Sequence, residues 1–130
     1  MSRGSAPSSA SVSEPSDGQG SYSQTFPRIV SLVTGAGITQ TQLGKAVGSS
    51  LRTVQNWAGG DTAPTGAKLQ RLLDIGYLVE ELQHAYTEEG ISIWMNSRNR
   101  NLDGERPIDL LTAGRIDEVL EEAQRVSGAM

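Results

Sequence analysis

The chain has no cysteine and a single histidine, His84. The first absence excludes a disulfide framework and any thiolate metal site, and one imidazole cannot make a zinc centre by itself. No apolar run approaches the ~20 residues of a membrane span, and the amino terminus has no apolar signal core. A soluble, cytoplasmic protein is expected. No nucleophile stands beside a base and no cluster of metal ligands is visible, so neither an enzyme nor a bound cofactor or metal is expected. With 130 residues, 36% of them hydrophobic, the chain can build a modest core. No strand pattern of useful length occurs, which predicts an all-α fold.

Acid is missing from one stretch. The net charge of −4 would oppose nucleic-acid binding if it were evenly spread. Between residues 26 and 60, however, the charged side chains are Arg28, Lys45 and Arg52, with no acid. Between residues 83 and 130 nine acids stand against five arginines. The first segment can face a polyanion and the second should avoid one. Three cations are a thin supply, so DNA binding is expected to depend on a homodimer.

Residues 1–22 hold eight Ser, three Gly and two Pro, a composition that cannot offset the entropy of ordering. A disordered tail is expected over residues 1–24, either a spacer or a partner-binding arm. A first helix is predicted over Phe26 to Val33, with Pro27 in its first turn and Gly35-Ala36-Gly37 as its stop, since no strand precedes that tripeptide to make it a phosphate loop.

From Gln40 to Trp57 the small, apolar and polar positions fall where a helix-turn-helix needs them. Gly44 lies where the two helices meet and Gly48 lies in the turn. Leu43, Val47, Val54 and Trp57 face inward. Thr39 and Gln42 have capping-box spacing, and either Ser49 or Ser50 can cap the second helix. Ser50, Leu51, Arg52, Thr53, Gln55 and Asn56 then turn outward on the reading helix. Arg suits guanine, Gln or Asn suits adenine, and Leu suits a thymine methyl. Gln40 and Lys45, on the preceding helix, can reach phosphates. Residues 25–64 are therefore read as a DNA-binding domain. This pattern resembles the Xre (Cro/repressor-like) helix-turn-helix family at Gln40, Leu43, Gly48, Val54 and Trp57.

Turn chemistry at residues 58–64 separates this unit from a connecting helix, roughly Gly66 to Tyr86, with Leu69, Leu72, Leu73, Leu78, Val79 and Leu82 on its apolar side. Gly76 permits either a kink or a close helix contact. Beyond it come Trp94, which anchors a helix in a small core, then a polar loop with Gly104, a short helix started by Pro107, and Ala113-Gly114 as its stop. The closing helix, Ile116 to Val126, carries Ile116, Val119, Leu120, Ala123 and Val126 on one face. Its acids, Glu121 and Glu122 included, are read as solvated surface rather than acid/base groups.

The order Trp94-Met95, Ser97-x-Asn99, Leu102-x-Gly104-x-x-Pro107-x-x-Leu110-Leu111, then Gly114 and an amphipathic helix resembles the toxin-binding domain of the Xre/MbcA/ParS antitoxins, over residues 87–130. The resemblance implies a homodimeric antitoxin that binds promoter DNA with one lobe and a RES-domain, NAD-degrading toxin with the other. It implies that Trp94, Arg98, Asn99, Leu102, Gly104 and Pro107 build the toxin-binding lobe and that Ala129 and Met130 lie by the toxin's active site. Arg98, Arg100, Arg106 and Arg115 either pair with acids on a partner or are solvated. The competing reading is a stand-alone transcriptional regulator whose second lobe only dimerises.

Overall fold

The computed structural model describes residues 14–128, with side chains from residue 24 onward. Residues 1–13, Ala129 and Met130 lie outside the described residues, and with them most of the expected tail and the two terminal toxin-facing positions. The elements in order are α1 (Glu14–Gly35), α2 (Gln40–Val47), α3 (Leu51–Gly59), α4 (Gly66–Leu82), α5 (Glu88–Met95), a 3-10 turn (Arg100–Leu102), α6 (Pro107–Thr112) and α7 (Ile116–Val126). Among the described residues there is no strand, only an isolated antiparallel bridge between Asn99 and Glu105. The all-α expectation holds.

The first helix is longer than predicted at both ends, and Pro27 lies inside it rather than in its first turn. Among its described side chains the buried ones are Phe26, Val30 and Val33, one residue per turn.

Helix α2 starts on a complete capping box. Thr39 Oγ1 accepts from Gln42 N at 3.0 Å, and Thr39 N donates to Gln42 Oε1 at 2.9 Å. It ends at Gly48, whose φ of 84° lets the chain turn sharply toward α3. Of the two serines able to cap α3, Ser50 does so, its Oγ accepting from Thr53 N at 3.1 Å. Leu43, Val47 and Val54 are fully buried and Trp57 is nearly so. Each such side chain contributes about 1.5–3 kcal/mol by leaving water. A Cβ on Gly44 would lie 2.7 Å from the Ser49 carbonyl oxygen, so only glycine allows this approach of the turn to α2.

Helix α4 ends at Leu82, not Tyr86, because the chain must leave helical geometry for extended Thr87 to cap α5 through Gly90 N at 3.1 Å. Its buried side is Leu72, Ile75, Leu78, Val79 and Leu82. Leu73, predicted to be buried, is 41% exposed, and Ile75 takes its place. Gly76 makes a close helix contact, its position 3.2 Å short of Ile29 Cγ2 once a Cβ is added. Trp94 is only partly buried. Fully buried Ile91 and Met95 anchor α5, because successive inward positions on a helix are four apart and Trp94 falls beside that line.

Helices α6 and α7 occupy the predicted ranges, with Pro107 at the first position of α6. Helix α4 packs on α7, and α2 packs on α6. The segments read as separate DNA-binding and partner-binding lobes thus share one hydrophobic core running from Phe26 to Ala123.

Candidate DNA-reading helix and partner-facing loop

Helix α3 turns Val54 and Trp57 inward and thereby sends Leu51, Arg52 and Gln55 to the surface. Thr53 and Asn56 flank this face and are half-buried, and Ser50 is exposed at its start. The Ser50 and Thr53 hydroxyls lie 3.1 Å apart and hydrogen-bond each other. Gln40 is half-buried at the first turn of α2, and Lys45 is exposed in its last turn. The eight positions singled out for DNA are therefore on the surface or at its edge, with none in the core.

Arg71 was not among them. From α4 its Nη1 donates to the Val47 carbonyl at 3.3 Å, placing a cation at the carboxyl end of α2, where the helix dipole favours positive charge. The two residues are 24 positions apart, and no local pattern could have paired them.

Between α5 and α6, Asn99 closes a short loop. Its N–H donates to the Glu105 carbonyl at 3.0 Å, its carbonyl accepts from Leu102 and Gly104, and its Oδ1 accepts from Asn101 N at 2.9 Å. Leu102 and Pro107 point into the core, so they shape this loop from within. Arg98 is exposed and its Nη1 donates to the Gly104 carbonyl at 3.2 Å, while Asn99 and Gly104 are half-buried. Ile93, 61% exposed one turn ahead of the loop, was not anticipated as a surface residue. A groove of about 500 Å³ opens between the loop and α7, lined by Leu102, Asp103, Glu118, Glu121 and Arg125 among others.

Two of the arginines left open by the sequence are matched within the chain. Arg106 grips Asp109 through Nε at 2.8 Å and Nη2 at 3.0 Å, and Arg115 grips Glu118 with both contacts at 2.7 Å. These hydrogen bonds hold the Asp109 and Glu118 carboxyls below their ordinary range.

Glu122 requires a correction. It was read as solvated, yet it is 6% exposed, because α7 turns it toward the loop. Arg125 donates Nε to Oε1 at 3.0 Å and Nη2 to Oε2 at 2.7 Å, and Asn101 Nδ2 donates to Oε2 at 3.1 Å. The Arg125 hydrogen bond leads in pushing the Glu122 carboxyl down, helped by Asn101 and opposed by burial. A carboxyl whose pKa is depressed on folding stabilises the fold above its unfolded value and loses that contribution as pH falls through the folded one. Acid unfolding monitored by circular dichroism should therefore show stability falling below about pH 4.3, the ordinary glutamate value, and Glu122→Gln should flatten that slope. An unchanged slope would remove Glu122 from the account.

Residues 82–126 match the family described as the antitoxin Xre/MbcA/ParS C-terminal toxin-binding domain, and residues 32–75 match a helix-turn-helix family. A probable mycobacterial cidal antitoxin of Mycobacterium tuberculosis is 34% identical over 96 residues, covering 74% of this chain and 82% of that protein. The mycobacterial cidal antitoxin MbcA of Mycobacterium bovis is 32% identical over 96 residues, covering 71% and 85%. Among solved structures, a chain of the M. tuberculosis MbcT-MbcA toxin-antitoxin complex superposes with a TM-score of 0.59 at 30% identity, covering 78% of this chain and 96% of that one.

Proposed function

Because this chain belongs to the Xre/MbcA/ParS antitoxin family, we propose that it is the antitoxin of a type II pair, neutralising a RES-domain toxin that degrades NAD and repressing its own promoter as a homodimer. The observation that carries the reading is the order of two units on one core: a helix-turn-helix with an exposed polar α3, then the loop and α7 of the toxin-binding domain. Charge supports the division of labour. The first unit has no acid between residues 26 and 60, and the second is rich in acids that would repel phosphate.

In this reading α3 enters the major groove, Arg52, Gln55 and Asn56 meet base edges, and Gln40, Lys45, Ser50 and Thr53 meet backbone. Two protomers on one face of the duplex would protect half-sites about 34 Å apart, and affinity would fall with salt at a slope of about −0.9 per phosphate neutralised. The loop around Asn99, with Trp94, Arg98 and Gly104, would meet the toxin, and Ala129 and Met130 would extend toward its catalytic pocket.

Co-expression with a RES-domain protein, taken from the adjacent reading frames where one is encoded there, is the deciding experiment. A complex should co-purify and cellular NAD should recover. Absence of both would leave the stand-alone regulator as the better description.

A further inference from the structure

Two charged side chains, Glu81 and Glu122, are buried among the described residues, and both hold the carboxyl-terminal end of α7. Glu81 Oε1 accepts from Ser127 Oγ at 3.1 Å, just past the helix end. Glu122, one turn earlier, has its two oxygens filled by Arg125 and Asn101. Burying a carboxylate is unfavourable unless partners replace water, and an apolar side chain of similar size would serve the core at least as well. What the carboxylate supplies instead is a fixed position for its donors.

We infer that Glu122 is a positioning residue for the protein partner: it locks the loop from Arg98 to Arg106 onto α7 in the conformation the partner reads. The lock runs through Asn101. Its side chain donates to Glu122, while its own N–H is held by Asn99, whose backbone in turn binds Leu102, Gly104 and Glu105. Glu122 is thus linked through Asn101 and Asn99 to Leu102, Gly104 and Glu105 of the loop. Arg125 completes the arrangement from the solvent side, 58% exposed while its carboxylate partner is covered. This inference rests on the reading of the second unit as the toxin-binding one.

Glu122→Gln tests it. The amide keeps the size, but its NH2 meets Arg125 Nε if it stands in place of Oε1, and both Arg125 Nη2 and Asn101 Nδ2 if it stands in place of Oε2, so at least one hydrogen bond becomes a donor-donor conflict. In titration calorimetry with the full chain and the RES-domain toxin that wild type binds in co-expression, the variant should bind about tenfold more weakly. Promoter affinity should stay within about twofold, since α3 lies elsewhere in the fold. Amide exchange at Leu102 and Gly104 should accelerate while that at Val54 and Trp57 does not. Toxin affinity equal to wild type would overturn the inference, as would a parallel loss of toxin and DNA affinity, which would mark a residue that only stabilises. Should Glu122→Gln not fold, Asn101→Ala, a change at an exposed position, decides: unaltered toxin affinity overturns the inference. Failure of the wild-type chain to bind the toxin is a separate result, and removes the underlying reading along with it.

Discussion

Gly37→Ala should lower the free energy of unfolding by about 2–5 kcal/mol, the sum of a strained backbone and a steric conflict. Gly37 has φ 98°, a conformation that L side chains rarely adopt. A Cβ there would also lie 2.5 Å from Ser92 Oγ, 2.8 Å from its Cβ and 3.2 Å from its Cα. A rotamer change moves only the first of these atoms. The turn between α1 and α2 would have to part from α5, loosening the junction between the helix-turn-helix and the segment that follows α4. Denaturant unfolding measures the loss, and a change smaller than about 0.5 kcal/mol, as for an ordinary surface site, would refute the account. Measured against Ser92→Gly alone, which has its own cost inside α5, adding Gly37→Ala should lose most of the steric share and leave chiefly the backbone strain of about 1–2 kcal/mol.

On the proposed reading, Arg52→Ala should weaken specific promoter binding by about 1–3 kcal/mol and relax preference at one base position. Arg52 is exposed on the face of α3 opposite Val54 and Trp57, so its truncation leaves the core untouched. Loss of affinity with intact melting behaviour would separate recognition from folding. A uniform loss over all sequences would instead assign Arg52 to phosphate. No loss at all would show that α3 does not read the groove.

Much of the helix-turn-helix was legible because its determinants are local. A capping box spans four residues, a left-handed turn needs one glycine, and inward positions repeat every three or four residues, so Thr39, Gln42, Gly48, Val54 and Trp57 could be placed from spacing. The same reasoning located α6 and α7, where Pro107 starts one helix and an apolar stripe defines the other.

It misplaced Leu73 and overstated the burial of Trp94, which packs against the core from its edge, since periodicity marks a stripe without saying which of two neighbouring apolar residues sits at its centre. It also misread Glu122, whose sequence context is that of a surface acid. Neighbours along the chain dictated the helices, their caps and the acid-free reading face, because those interactions close within a turn or two. Long-range contacts alone decided that Arg71 caps α2 from 24 residues away, that a buried carboxylate ties the loop to α7, and that one core joins both units. Each of these depends on which helix meets which, and that is settled by packing the whole chain.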